Sequence, residues 1–301
     1  MALRVTPLHP HIGAEIVGVD LTRPMPADVF AEIEAAFNRH AVLVFPDQPL
    51  TDERQIAFSR HFGPLEVTPN YAGDKLRIRA DVADISNLDH EGRVLSADDR
   101  RRVFNLGNQL WHTDSSFKRV PAKCSLLSAR EIPPTGGETE FADMRAAYDA
   151  LSEERKRQLD GLVAEHSIYY SRSRIGFGNF NDDISRQLPP VPQLLVRRHP
   201  GSGRKNLYLA SHASHVIGWP VEQGRALIDE LIAFATQPRF VYSHRWRVGD
   251  LVMWDNRCTM HRGRPYDETC RRVMHRTTVS DTANSVEQER GEQEKPPIPA
   301  A

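Results

Sequence analysis

The stretch FVYSHRWRVGDLVMW, residues 240–254, decides how the rest of the chain is read. Phe240, Tyr242, His244 and Trp246 alternate with Val241, Ser243 and Arg245, the period of two that puts successive side chains on opposite faces of a strand. Gly249-Asp250 then turns the chain into an apolar strand at 251–254, and Asp255-Asn256 turns it again. A last strand is expected at 270–280. Upstream, 193–198 and 205–210 flank His199-Pro200-Gly201-Ser202-Gly203-Arg204 in a strand, turn, strand pattern. The run AVLVF (41–45) reads as a buried strand closed by Pro46.

Helices are expected between these strands. Val29, Phe30, Ile33 and Phe37 recur at helical spacing behind Pro26, and Thr51 with Asp52 and Glu53 reads as a second helix start. Leu227, Ile228, Leu231, Ile232 and Ala235 form one face of a third. The expected fold class is mainly β with helical insertions, a sandwich or jelly roll, as one domain over 1–280. A Rossmann fold is disfavoured because strands and helices do not alternate and no Gly-rich strand-to-helix turn is present. Residues 281–301 lack aromatic residues and are rich in Glu, Gln and Pro, so no ordered structure is expected there.

With 39 basic and 40 acidic residues the chain has no strong overall field, which argues against nucleic acid or a membrane surface as partner. Three cysteines without CxxC spacing, no secretory signal and no long apolar run point to a cytoplasmic protein.

The chemistry centres on NQLWHTDSSF (108–117). On a strand His112 and Asp114 project from one face, giving an imidazole and a carboxylate to a shared site. His261, after the strand and turn at 251–256, is the best third donor. Two histidines and one carboxylate with three positions left open suit a non-haem Fe(II) oxygenase, since a 2-oxo acid takes two positions and O2 the third. Eleven residues beyond His261 lies Arg272, and Arg276 shares its strand face. Inward-facing arginines need anions. Arg272 is therefore expected to grip the far carboxylate of 2-oxoglutarate, and Arg276 a substrate acid or the metal-end carboxylate.

These residues carry a resemblance to the TauD/TfdA family of Fe(II)/2-oxoglutarate-dependent dioxygenases. Further echoes are GAEIVGVDL (13–21), FSRHFGPLE (58–66), GGETEF (136–141), ADMRAAYDAL (142–151), His212-Ala213-Ser214-His215 and VGDLVMWDNRC (248–258). Within the family the chain is most similar to the 2,4-dichlorophenoxyacetate dioxygenases. The resemblance implies a double-stranded β-helix, Fe(II) on His112, Asp114 and His261, and 2-oxoglutarate held by Thr139 and Arg272. It places Asn108, Tyr71, Arg276 and His199 on the substrate side. Thr68 stands where taurine-type members have a histidine, which argues against taurine and leaves Lys75 and Arg77 as candidate cations.

The implied reaction hydroxylates a small carboxylic acid such as an aryloxyalkanoate, cleaving its ether to a phenol and glyoxylate and releasing succinate and CO2. An alkyl sulfate or other small acid stays open as substrate, and so does a homo-oligomer. Rival readings are a zinc-dependent hydrolase and a non-catalytic jelly-roll module. The hydrolase leaves Thr139 and Arg272 without a task.

Overall fold

The computed structural model describes residues 3–67, 77–178 and 186–293. Along the chain come β1 (Arg4–Pro7), β2 (Ala14–Val17), α1 (Ala27–His40), β3 (Val42–Phe45), α2 (Asp52–Ser59), β4 (Ala83–Asp84) and α3 (Arg100–Asn105). Then follow β5 (Ala122–Glu131), β6 (Thr139–Asp143), α4 (Met144–Asp149), α5 (Glu153–Leu159), β7 (Val163–His166) and α6 (Ile168–Ser173). The last part holds β8 (Val191–Leu194), β9 (Val196–Arg198), β10 (Lys205–Leu207), β11 (Ala213–Val216), α7 (Val221–Ala235) and β12 (Val241–His244). It ends with β13 (Leu251–Asp255), β14 (Thr259–Gly263), β15 (Val273–Ser280) and α8 (Ser285–Gln293).

Seven strands form one sheet in the order β1-β2-β3-β13-β5-β15-β4, and β12-β6-β14 form a smaller sheet. The two pack face to face, and β13 shows how. Val252 and Trp254 point inward and join Leu127, Phe141, Trp246 and Met274. Leu251 and Met253 point outward, against Ile33 and Phe37 of α1 and Phe58 of α2. A strand buried on both faces must be apolar throughout its exposed-to-core positions, which is why 251–254 shows no alternation. Behind the small sheet, Ala142, Met144 and Met260 pack on Leu227, Ile228 and Leu231 of α7. This is the jelly-roll arrangement expected.

Local signals account for most elements. The Thr51 side chain accepts from the Arg54 amide and starts α2, and the αL residue Ala41 (φ 59°) ends α1. The alternating run from Phe240 is a strand over Val241–His244, with Pro238–Phe240 a 3-10 turn before it. The expected strand at 270–280 begins only at Val273. The tail also differs from expectation, since Ser285–Gln293 is helical. Asn284 caps the Glu287 amide at 2.9 Å, and Ser285 Oγ both accepts from Leu194 N and donates to Gln193. These tertiary hydrogen bonds order a segment whose composition carries no core of its own. Residues 294–301 lie outside the described residues.

Gln55 is fully buried in α2 and pins that helix to the large sheet. Its Nε2 donates to the carbonyls of Leu126 (3.0 Å) and His275 (2.9 Å), and its Oε1 accepts from Ser128. Gln55→Ala strands these groups away from water, so unfolding free energy in urea is expected to fall by about 3 kcal/mol.

Candidate functional site

Two backbone hydrogen bonds build the centre. His112 N donates to His261 O (2.9 Å) and His261 N donates to His112 O (2.8 Å). Residues that exchange both bonds in an antiparallel pair project their side chains to the same side. The imidazole centroids accordingly lie 4.1 Å apart. Asp114 completes the group, with Oδ1 3.8 Å from His112 Nε2 and Oδ2 3.7 Å from His261 Nε2. One donor atom from each residue lies within 4.8 Å of the others, and all three residues are buried.

The HxD segment is not a regular strand. His112 is a single bridge residue, and Asp114 opens a turn in which Ser115 adopts a left-handed φ of 53°. The two side chains still converge. Ser115 Oγ donates to Glu66 Oε2, and Lys118 pairs with the same oxygen, which ties the turn down.

The donor set suits a cation. His112 Nδ1 donates to the Leu110 carbonyl at 2.8 Å, which leaves the Nε2 lone pair facing Asp114. Burial lowers the pKa of both His112 and His261, so each is neutral and free to donate a lone pair. Burial by itself would raise the Asp114 carboxyl. The Arg276 guanidinium, the two imidazoles and the Ser125 hydroxyl outweigh it and hold Asp114 well below the usual carboxylate range. Arg276 Nη1 donates to Asp114 Oδ1 and Ser125 Oγ donates to Oδ2, each at 2.7 Å. Two neutral nitrogens and one carboxylate match a divalent ion of the iron or manganese kind.

The same cavity contains Thr139 and Arg272. Thr139 begins β6 after Gly136 (φ 75°) and Gly137 (φ 74°). A Cβ on Gly136 would stand 2.6 Å from the Pro265 carbonyl, so only glycine lets this turn lie against 263–266. The Trp246 indole donates to Thr139 Oγ1 at 3.0 Å. The indole occupies one lone pair, and the threonine keeps its own proton for another acceptor. Arg272 precedes β15. Asn87 holds it there by accepting from its amide at 2.8 Å and donating to the Cys270 carbonyl at 2.8 Å. The Arg272 side chain lies over Tyr266 and donates to the Ile85 carbonyl at 3.3 Å. Among the described residues no carboxylate reaches it. Burial lowers its pKa, with Tyr266 opposing.

Asn108 and Arg276 also line the cavity, with Ile85, Leu95, Leu106 and Leu127 as apolar wall. His212 stands edge-on to His112, centroids 6.3 Å apart. Tyr71, Thr68 and Lys75 lie outside the described residues. Arg77 is committed to Asp84 through two hydrogen bonds of 2.6 and 2.7 Å and is not a free cation.

His199 does not belong with the substrate-side residues. It is fully buried outside the cavity, where Nε2 meets Asp255 Oδ2 and Nδ1 meets Ser202 Oγ, both at 2.9 Å. Its hairpin turns it inward to hydrogen-bond Asp255, which Arg257 also holds. Cys258 lies close to this pair, but both histidine nitrogens are engaged and burial raises the thiol pKa, so the trio offers a metal no site. The sequence reading also missed Ser125, Asn256 and Trp246. Asn256 read as a turn residue and Trp246 as a strand residue, and neither residue type by itself signals a site.

Residues 4–278 match the family described as Taurine catabolism dioxygenase TauD, TfdA family. The chain is 48% identical to an alpha-ketoglutarate-dependent 2,4-dichlorophenoxyacetate dioxygenase of Cupriavidus pinatubonensis, over 94% of this chain and 99% of that protein. It is 40% identical to an (S)-phenoxypropionate/alpha-ketoglutarate-dioxygenase of Sphingobium herbicidovorans, over 94% and 97%. The crystal structure of AAD-2 in complex with Mn(II) and N-oxalylglycine superimposes with a TM-score of 0.88 at 48% identity, covering 95% of this chain and 99% of that one. With its two histidines and one aspartate gathered in a jelly roll and this similarity along nearly its whole length, the chain belongs to the TauD/TfdA family of dioxygenases.

Proposed function

We propose that this protein is an Fe(II)- and 2-oxoglutarate-dependent dioxygenase that hydroxylates an aryloxyalkanoate such as 2,4-dichlorophenoxyacetate. The observation that carries the reading is Arg272, a buried guanidinium with no carboxylate partner among the described residues, in one cavity with His112, Asp114 and His261. A buried cation of this kind calls for an anion from outside the chain. The similarity to the two herbicide-acting dioxygenases supports the substrate class.

His112, Asp114 and His261 would hold the ferrous ion. When bound, that ion supplies oxygen activation, coupling decarboxylation of 2-oxoglutarate to succinate and CO2 with hydroxylation of a substrate C–H bond. Arg272 pairs with the far carboxylate of 2-oxoglutarate, and the Thr139 hydroxyl donates to it. Asn108 and Arg276 lie on the substrate side; Arg276 holds Asp114 through Nη1 and keeps Nε for the substrate's acid group. Ile85, Leu95, Leu106 and Leu127 keep the cavity apolar and limit water near the reacting carbon. Hydroxylation beside the ether oxygen gives a hemiacetal. Its bond to the aryloxy oxygen breaks, the hydroxyl proton ends on the phenol, and the former hemiacetal carbon becomes the aldehyde of glyoxylate. The proposed setting is the cytoplasm; no described helix is long and apolar enough to cross a membrane.

Measurements of turnover, metal binding and co-substrate affinity test this. Oxygen uptake should require both Fe(II) and 2-oxoglutarate, and in a panel of phenoxyacetates, aryloxypropionates, alkyl sulfates and sulfonates, succinate formation should be fastest with a phenoxyacetate. Turnover without oxygen uptake would sink the reading. Mn(II) at about 100 times its Kd should stabilise the protein by about 2.7 kcal/mol in thermal melts, and His261→Ala should abolish that gain. Arg272→Met should cost about 3 kcal/mol of co-substrate binding, raising KM for 2-oxoglutarate on the order of 100-fold. Trp246→Phe frees the Thr139 hydroxyl to turn away, and should raise the same KM by about fivefold with kcat at saturation little changed.

A further inference from the structure

We propose that Ser125 and Asn256 are positioning residues that keep Asp114 a one-oxygen ligand. This rests on the metal-site reading above and concerns how the chain controls it. Asn256 and Ser125 are both fully buried. Ser125 lies on β5 beside Trp254 of β13, and Asn256 follows β13 in the turn after Asp255.

The polarity of this group follows from its donors. Asn256 Oδ1 receives the Trp254 indole N–H at 3.1 Å and the Asp114 backbone N–H at 3.2 Å. Both partners are donors only, so the amide cannot be reversed and its NH2 must face Ser125. Asn256 Nδ2 donates to Ser125 Oγ at 3.0 Å. With that lone pair engaged, the serine proton goes to Asp114 Oδ2 at 2.7 Å. Asn256 thus grips Asp114 twice, directly at its amide and through Ser125 at its carboxylate.

The consequence concerns open positions. Two histidines and a carboxylate leave three positions only if the carboxylate supplies one oxygen, and the 2-oxo acid and O2 need all three. A carboxylate free to rotate can chelate with both oxygens and close one of them. With Oδ2 held by Ser125 and Oδ1 by Arg276, the carboxylate plane is fixed at both oxygens and cannot rotate to present the pair to one ion.

The test uses the full chain without oxygen. Mn(II) binding is followed by the electron paramagnetic resonance of the free ion, and Fe(II) with 2-oxoglutarate by charge-transfer absorption. Ser125→Ala and Asn256→Ala each remove one donor of the relay without adding charge. Both are expected to weaken Mn(II) binding about tenfold and to weaken the charge-transfer band. Both also unpair buried groups and lower the metal-free Tm, so Gln55→Ala, destabilised away from the site, is the control and should bind Mn(II) as the parent does. Unchanged affinity and band in Ser125→Ala overturn the proposal. So does an equal loss of affinity in Gln55→Ala, which is what lowered stability alone predicts. If the parent itself binds no Mn(II), the metal-site reading fails and this inference with it. If the parent binds and the variants match it, only the positioning role fails.

Discussion

The reciprocal backbone pair between His112 and His261 is the contact on which the site depends. The two residues are far apart in sequence, and their imidazoles meet only because the segment carrying His112 lies alongside β14. That strand is held on its other side by β6, from Thr259↔Asp143 to Gly263↔Thr139. The same pairing that orients His261 therefore also sets Thr139 at the cavity. One sheet edge positions His261 and Thr139 together, so in the proposed function the spacing between the two ends of a bound 2-oxo acid is built into strand register.

Charge in the cavity is arranged unevenly. Arg276 already has a carboxylate, Asp114, at 2.7 Å. Arg272 lacks one among the described residues, although burial makes an unpartnered guanidinium costly. A site built this way is completed by a ligand rather than by the chain. Asn87 keeps Arg272 in place from the backbone side, so the guanidinium need not be reoriented when an anion arrives.

Two hydroxyls in the site share one device. Trp246 fills the acceptor side of Thr139, and Asn256 fills that of Ser125. A hydroxyl is ambivalent in water, where it both donates and accepts. A buried N–H behind it leaves its proton for another acceptor: Asp114 for Ser125, and a ligand carboxylate for Thr139 in the proposed function. Neither tryptophan nor asparagine touches the reacting centre; they act by deciding which way a neighbour's proton points.

Much of this was legible in the residues themselves. Period-two alternation and turn pairs were enough for the β-rich fold, because strand geometry links spacing in sequence to facing in space, and the HxD, distal His and following Arg pattern picked out His112, Asp114 and His261, whose side chains the fold brings together, with Arg272. His199 shows where that link ends. The hairpin of β9 and β10 follows from its turn residues, but His199 is turned to Asp255, a residue 56 positions away, and not to the cavity. The helix at Ser285–Gln293 is a similar case, ordered by Gln193 and Leu194 rather than by its own composition. Sequence alone determined which residue types were available and how they were spaced along each strand. Tertiary structure decided which faces enclose the cavity and which donors stand behind Thr139 and Ser125, because hydrogen bonds between distant segments have no local period to read.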